Sequence, residues 1–269
     1  MADKIMKYYN EFLSKRMIKY RLERNRRISS IEELVTSYVN DEDLVLDIGC
    51  GIGIIVEAIA KKFREAQVIG VDLSPENIWY CKNTISEKNA TFFQLSVTEQ
   101  MDDIKAAAGG AVNLICMVDV IEHIPQEKRR STLKAITQLA ASNAFFILSY
   151  PSPNYQRYLR DNEPEELQVI DNELEVADLI EEMNEAGWSL YRLTHEDIWR
   201  KDQYIHAVFR RNSREEISEP HKSPILGEII RKSLDLLRRP YRYFKYVVVP
   251  YRNRKAIGLE NEPEQKSDS

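Results

Sequence analysis

The 269-residue chain contains only three cysteines, Cys50, Cys81 and Cys116, and none of them belongs to a C-x-x-C pair. This number and spacing exclude a disulfide-stapled miniature protein and a cysteine-based zinc site, so we expect reduced thiols and chemistry without a metal. No run of about 18 apolar residues occurs, so we expect no membrane-spanning helix. The N-terminal MADKIMKYYNEF has no apolar core, so we expect no secretory signal and a cytoplasmic protein.

The formal net charge of −5 is distributed unevenly along the chain. Between Lys222 and Lys255 there are ten basic and two acidic residues, a net charge of +8, which leaves −13 for the rest. This acidic remainder of the chain (the acidic body) disfavours nucleic acid as a partner, because the negatively charged phosphates of nucleic acids bind to positive charge. The segment 223–255 opens with an amphipathic stretch, so it fits either peripheral contact with an anionic membrane or a helix packed on the acidic body.

Short apolar segments alternate with segments of helical periodicity between residues 43 and 211. The predicted strands span residues 44–48, 68–71, 90–95, 112–117, 144–149, 188–194 and 204–210. The predicted helices span residues 54–63, 75–87, 127–141 and 174–186. Strands that alternate with helices predict a parallel α/β sheet, and the last two strands, with no helix between them, predict an antiparallel finish.

Two further segments have a weaker pattern. Ser29 or Ser30, followed by acidic residues, predicts the N-cap of a short helix that ends at Val39. The segment 151–173 shows no clear periodicity, and we expect a long irregular loop that shapes a binding pocket.

The most informative stretch is the glycine-rich loop between the first strand and the first long helix. Asp47 ends the apolar run, and Gly49, Gly51 and Gly53 follow it at alternate positions. Glycines at such a place allow positive φ and a close approach of the backbone to a ligand, and the next helix offers free N–H groups. An acid, Asp72, ends the second strand, where it could accept hydrogen bonds from both hydroxyls of a ribose.

The spacing of the glycines separates this loop from two better-known nucleotide loops. A dinucleotide fingerprint reads G-x-G-x-x-G, but the sixth position counted from Gly49 is Ile54. The Lys-Ser/Thr ending of a phosphate-binding P-loop is also missing. The pattern D-x-G-x-G-x-G suits a ligand that has a ribose and a charged amino-acid tail but no pyrophosphate.

Three motifs in this order resemble those of the class I S-adenosylmethionine-dependent methyltransferases. VLDIGCGIG (45–53) is similar to their first motif, VIGVDLSPENI (68–78) to the second, and VNLICMVDVIEHIP (112–125) to the fourth-strand motif of members that act on small molecules. The resemblance implies a Rossmann-like, doubly wound, seven-stranded, mostly parallel sheet with an antiparallel last strand. It covers the predicted domain 41–211, between an N-terminal helical segment or lid (1–40) and a C-terminal helical extension with linker and tail (212–269).

The resemblance also implies S-adenosylmethionine as cofactor, S-adenosylhomocysteine as product, and a set of contacts. The glycine loop would pass under the methionine and ribose parts, Asp47 would face the amino group, and Leu73 would pack against the adenine. Ser96 replaces the acid that usually binds the adenine amino group, which would weaken that contact. The predicted cofactor-binding residues are Asp47, Gly49, Cys50, Gly51, Gly53, Asp72, Leu73, Ser96, Val97 and Met117.

The loops that follow the fourth and fifth strands should face the reacting methyl group, since ligands lie at the carboxyl ends of such strands. His123 is the predicted general base because histidine titrates near neutral pH; the alternative is a structural histidine that bonds to backbone or Glu122. The predicted substrate-binding residues are Tyr9, Asp119, Tyr150 and Tyr155.

The sequence therefore predicts a methyltransferase for a small-molecule, sugar or lipid-linked acceptor, with methylation at oxygen. The alternative is an RNA or protein methyltransferase that docks through the basic terminal segments.

Overall fold

The computed structural model describes residues 21–22, 26–167, 170–212 and Lys245. The predictions for Tyr9, for the start of the N-terminal lid and, apart from Lys245, for the segment 223–255 lie outside these residues. The described residues form seven strands, β1 (Leu44–Ile48), β2 (Gln67–Asp72), β3 (Ala90–Gln94), β4 (Val112–Val118), β5 (Ala140–Pro151), β6 (Trp188–Glu196) and β7 (Tyr204–Arg211). These strands make one sheet in the order β3-β2-β1-β4-β5-β7-β6.

Only β7 runs against the others. Strands β1 to β5 pair in parallel, β7 pairs antiparallel with β5, and β6 pairs antiparallel with β7 at the edge of the sheet. The predicted fold class and its antiparallel last strand are confirmed. The chain order reverses between β1 and β4, and this switch point places the loops after β1 and β4 side by side.

Helices cover both faces of the sheet because the central strands are apolar on both sides. The helices are α1 (Arg26–Thr36), α2 (Ile54–Lys62), α3 (Pro75–Thr84), α4 (Met101–Ala108), α5 (Gln126–Thr137), α6 (Pro153–Asn162) and α7 (Val176–Glu185). On β4, Leu114 and Cys116 pack with α1, α2 and α3, whereas Ile115 and Met117 pack with α4, α5 and α7 on the opposite face.

The structure contains two helices that the sequence analysis did not predict. The segment 151–173 is not irregular throughout, because α6 (Pro153–Asn162) begins directly after β5. The Ser152 hydroxyl caps α6 by accepting the Tyr155 N–H at 3.2 Å, and Pro153 stands at a position where a helix tolerates it. Helix α4 was not predicted, since only Ile104 and Ala108 of its eight residues are buried and leave no periodic stripe.

Helix α1 starts earlier than the predicted cap, at Arg26, so Ser29 and Ser30 lie inside the helix. The Ser30 hydroxyl instead donates to the Arg27 carbonyl at 3.0 Å. Helix α5 also ends sooner than predicted, at Thr137, because β5 already begins at Ala140. Among the described helices, none combines the length and the apolar composition that crossing a membrane requires.

Candidate functional site

The glycine loop connects the end of β1 to the start of α2 at the carboxyl edge of the sheet. Gly49, Gly51 and Gly53 have φ values of 74°, 54° and 71°, a region that costs other residues energy. Space is equally restrictive, because a Cβ atom on Gly49 would lie 2.2 Å from Cγ2 of Val120. Glycine is thus required here by conformation and by packing, and the resulting turn lines a cavity.

Asp72 at the end of β2 has a carboxylate with a fixed orientation. Its Oδ2 accepts the Gly51 N–H at 2.8 Å, and its Oδ1 accepts the Ser74 N–H at 2.8 Å and the Asn77 side-chain amide at 3.1 Å. Burial raises the pKa of this carboxyl, while the three hydrogen bonds oppose the rise. The carboxylate therefore lies in the cavity wall as an oriented acceptor and also ties the glycine loop to α3.

Asp47, just before the glycine loop, is only 2% exposed. Within residues 26–167 and 170–212 we find no hydrogen bond or ion pair to its carboxylate. Burial and the nearby Asp72 raise its pKa to about 8. A cationic group that enters the cavity beside Asp47 would supply the missing counter-charge, so this end of the cavity is suited to an ammonium group.

The cavity has a volume of about 230 Å³ and two chemically different halves. The glycine-loop half is formed by Asp47, Gly49, Cys50, Gly51, Ile52, Ile54, Ile55, Asp72 and Asn77. The acidic half is formed by Arg27, Ile28, Val118, Asp119, Glu122, His123, Pro151, Tyr155, Leu159, Glu166, Asp171, Trp199 and Tyr204. The two halves adjoin at the switch point of the sheet.

His123 lies in a short 3₁₀ turn after β4 and lines the acidic half. Its Nδ1 lies 2.6 Å from the Ile170 carbonyl oxygen. A carbonyl only accepts, so Nδ1 carries the proton and Nε2 has the free electron pair. Nε2 has no hydrogen-bond partner among the described residues and lies 3.8 Å from Oε1 of Glu122. Burial lowers the pKa of His123, with Asp171 opposing, so the neutral base is favoured near pH 7.

Glu122, beside His123, is 1% exposed. Burial raises its pKa to about 8, and Asp171 contributes to the rise while Arg27 opposes it. Asn172 donates to the Glu122 backbone carbonyl, from its backbone at 2.9 Å and from its side chain at 2.8 Å, and so fixes the turn. Glu122 is therefore mostly a neutral carboxyl at pH 7, next to the free nitrogen of His123.

Arg27 is the most important site residue that the sequence analysis missed. It lies on α1, is buried, and forms an ion pair with Asp119, which follows β4 with a φ of 55°. Its guanidinium also lies 5.5 Å from the ring centroid of Tyr204 on β7. In sequence Arg27 is one member of a basic run, and its partner is distant along the chain, so no local pattern distinguishes it.

Arg21 makes a second contact from the N-terminal segment to the site. Its Nη1 donates to the Ile52 carbonyl of the glycine loop at 2.7 Å, and its Nη2 forms an ion pair with buried Glu57. Its guanidinium lies 5.9 Å from the ring centroid of Tyr80. Arg21 and Arg27 therefore join the N-terminal segment to both halves of the cavity.

The predicted site residues divide into two groups. Those that line the cavity are Asp47, Gly49, Cys50, Gly51, Asp72, Asp119, His123 and Tyr155. Those that lie elsewhere in the described structure are Gly53, Leu73, Ser96, Val97, Met117 and Tyr150. Tyr150 is fully buried and Leu73 is exposed, whereas the Ser96 hydroxyl lies 3.1 Å from that of Thr98. All these assignments remain predictions.

No group of three or more histidine, cysteine or acidic residues in the described ranges could hold a metal ion. The three cysteines are buried and unbridged; the thiol of Cys81 lies 3.4 Å from the Gly51 carbonyl oxygen, and that of Cys50 lies 3.8 Å from it. Cys81 on α3 therefore packs against the glycine loop.

The part of the chain that contains the glycine loop is similar to known proteins. Residues 45–143 match a family model described as a methyltransferase domain. A ubiquinone biosynthesis O-methyltransferase of Coxiella burnetii is 32% identical over 117 residues, 43% of this chain and 46% of that protein. The corresponding enzyme of Chromobacterium violaceum is 29% identical over 115 residues, 43% of this chain and 47% of the relative. The chain thus spans about half the length of these curated relatives.

Solved structures share the fold at low identity. The N-methyltransferase NodS from Bradyrhizobium japonicum, in complex with S-adenosylhomocysteine, superposes with a TM-score of 0.60 at 13% identity, over 78% of this chain and all of that one (100%). Magnesium protoporphyrin IX methyltransferase from Synechocystis gives a TM-score of 0.55 at 20% identity, over 68% of this chain and 81% of that one. These similarities concern the fold.

Proposed function

We propose that this chain, which belongs to the class I S-adenosylmethionine-dependent methyltransferases, transfers a methyl group to a hydroxyl oxygen of a small molecule. The observation that carries the proposal is the pair of buried acids at the glycine loop. Among the described residues Asp47 has no counter-charge, and Asp72 is oriented by three hydrogen bonds. A ligand with an ammonium group and a ribose satisfies both.

The glycine-loop half fits S-adenosylmethionine on the chemistry of its donors and acceptors. Asp47 would hold the amino group as a counter-ion, and Asp72 would accept hydrogen bonds from the ribose hydroxyls. The cofactor supplies a methyl group already activated by a sulfonium sulfur, which keeps the electron pair when the methyl carbon bonds to the acceptor oxygen. The protein's contribution is therefore to position the acceptor and to take up its proton.

His123 is the proposed general base. Its neutral imidazole has a free electron pair on Nε2, and the Ile170 carbonyl holds the ring in that tautomer. A hydroxyl group that lies against Nε2 could pass its proton to His123 as the oxygen becomes methylated.

The pH dependence of the rate tests the role of His123. Because the neutral form is active and its pKa is lowered, the rate should rise with pH and level off with an apparent pKa below the usual value of about 6.5. Substitution His123→Ala should lower kcat about 100-fold or more, remove this acidic limb and allow partial rescue by added imidazole. An unchanged pH profile in the variant would refute the role.

The methyltransferase activity itself is tested with labelled cofactor. The purified chain is incubated with methyl-labelled S-adenosylmethionine and a fractionated lysate, with the Asp72→Asn variant as the inactive control. Label in a small-molecule fraction, absent with the variant, supports the proposal. Label in RNA or protein would favour the alternative acceptor class, which depends on basic segments outside the described residues. Contact of the segment 223–255 with an anionic membrane remains a prediction.

A further inference from the structure

We propose that Arg27 is a positioning residue for methyl transfer, which holds Asp119 so that the free oxygen of its carboxylate accepts a hydrogen bond from the methyl acceptor. This inference rests on the proposed function and deepens it, because it assigns a joint role to two residues of the acidic half. Neither residue takes part in the contacts proposed for the cofactor.

Asp119 has an unusual backbone conformation for a residue with a side chain. It directly follows β4, and its φ of 55° lies in the left-handed region, which aspartate and asparagine adopt more readily than most residues but still at a cost. Its N–H donates to the Ser149 carbonyl at 2.8 Å, and the 3₁₀ turn Ile121–His123 begins two residues later. The conformation of Asp119 therefore sets the path of the chain from β4 to His123.

The carboxylate of Asp119 is engaged through one of its two oxygens. Oδ2 forms an ion pair with Nη1 of Arg27, whereas Oδ1 is buried and has no hydrogen-bond partner among the described residues. A buried polar atom without a partner costs about 1–3 kcal/mol, and more when the group is charged. Because Asp119 lines the cavity, a donor on a bound molecule would supply the missing hydrogen bond.

Arg27 connects Asp119 to a second wall of the cavity. Its buried guanidinium lies 5.5 Å from the ring centroid of Tyr204 on β7. Burial raises the pKa of Tyr204, and the charge of Arg27 and a side-chain hydrogen bond from it oppose the rise. The guanidinium thus has partners on both β7 and the turn after β4. A planar fork held in this way restricts the carboxylate of Asp119 to one orientation, which a flexible ammonium group would not do.

The two residues belong to the methyl-acceptor side of the cavity. Arg27 and Asp119 line the half that contains His123, whereas the glycine loop is tied to α3 by Asp72. Loss of the pair should therefore slow methyl transfer much more than it weakens binding of the cofactor product.

Neutralising both partners separates a positioning role from a structural one. Arg27→Met alone should destabilise the chain, since it leaves the carboxylate of Asp119 without its cation. The double variant Arg27→Met with Asp119→Asn has no unpaired charge, and asparagine tolerates the left-handed conformation, so it should regain most of the stability. Its rate of methyl transfer should nevertheless stay about 10- to 100-fold below wild type, the effect of losing one hydrogen bond to a charged group.

Three measurements on the full chain distinguish the outcomes. Urea unfolding gives the stability, and calorimetric titration with S-adenosylhomocysteine gives the affinity for the cofactor product. The initial rate is that of label transfer from S-adenosylmethionine into the lysate fraction that the wild type labels. We expect the double variant to bind S-adenosylhomocysteine within about threefold of wild type while its rate stays low. A rate that recovers with the stability, or an affinity that falls as far as the rate, would overturn the proposal.

The buried ion pair between Arg129 on α5 and Glu182 on α7 is the matched control, since neither residue lines the cavity. The double variant Arg129→Met with Glu182→Met should regain both stability and rate. An equal loss of rate in this control pair would contradict a specific role for Arg27.

Arg27→Lys provides a second test that does not depend on the fold of the neutral double variant. It keeps a positive charge beside Asp119, but a single ammonium group does not reproduce the planar fork between Asp119 and Tyr204. We expect a rate at least about fivefold below wild type with little change in the affinity for S-adenosylhomocysteine. A wild-type rate in Arg27→Lys would overturn the proposal.

Failure of this proposal can be distinguished from failure of the proposed function. If the wild type binds S-adenosylhomocysteine and transfers label, but the double variant is fully active, only the role of Arg27 fails. If the wild type binds no S-adenosylhomocysteine, the proposed function itself fails.

Discussion

Replacing Asp72 by asparagine perturbs the side chain on which the glycine loop and the proposed ribose contact both depend. The asparagine oxygen could still accept from Ser74 and Asn77, but its amide nitrogen would face the Gly51 N–H that the carboxylate accepts at 2.8 Å. An unpaired buried donor costs about 1–3 kcal/mol. At about 2–4 °C per kcal/mol for a domain of this size, the midpoint of thermal unfolding should fall by several degrees.

The effect on cofactor-product binding should be larger than the effect on stability. Hydrogen bonds to a charged group contribute about 1.5–3 kcal/mol each, so the loss of two ribose contacts should weaken S-adenosylhomocysteine binding about 100-fold or more. Isothermal titration calorimetry measures this at a temperature where the variant is folded. Asp102→Asn, at an exposed acid in the first turn of α4, is the control. Binding by Asp72→Asn within about threefold of wild type would refute the ribose assignment.

Three further predictions concern the stability of the folded chain. Gly53→Ala should destabilise the fold by at least about 2 kcal/mol, because φ is 71° and the new Cβ would lie 2.6 Å from Ile85 Cδ1. Urea unfolding measures this loss, and an unchanged midpoint of unfolding would contradict the expected strain. Arg129→Met should lower the stability by about 3–5 kcal/mol, since buried Glu182 loses hydrogen bonds of 2.5 and 2.8 Å. The double variant Arg129→Met with Glu182→Met should regain much of this loss. Equal stability of the single and double variants would argue that an unpaired Glu182 is not the cause. The ligand-free protein should lose stability between about pH 4 and pH 8, because Asp47 ionises near pH 4 when unfolded but only near pH 8 when folded. In parallel urea titrations, Asp47→Asn should lose less stability over this range. The same slope of unfolding free energy against pH in both proteins would exclude Asp47 as the cause.

The sheet was predictable from sequence because its signal is local and repeated. Each central strand is a short apolar run bounded by turn residues, and each major helix carries a stripe at helical spacing. The seven strands and the antiparallel finish follow from that pattern. Helix α6 had a readable start in Ser152 and Pro153, which the sequence analysis did not use. Helix α4 had no start signal of comparable strength, and its two buried residues among eight define no apolar face.

The proximity of site residues was predictable mainly where they lie in a strand or in the segment that directly follows one. The glycine loop and Asp72 are contiguous with the strands that position them, so their proximity follows from the topology. The acidic half instead collects Arg27, Glu122, Asp171 and Trp199 from four separate segments. Their proximity depends on how α1 and the β6–β7 loop meet the edge of the sheet, and no local spacing encodes that arrangement.

Titration of the chain with S-adenosylhomocysteine at pH 7, in buffers of different ionisation enthalpy, tests the central claim most directly. Asp47, with a pKa of about 8, is mostly protonated at pH 7 before binding. An ammonium group beside it would favour the carboxylate, so binding should release close to one proton per site. The account predicts saturable binding with this release in the wild type and none in Asp47→Asn. Absence of binding, or the same release in the variant, would contradict it.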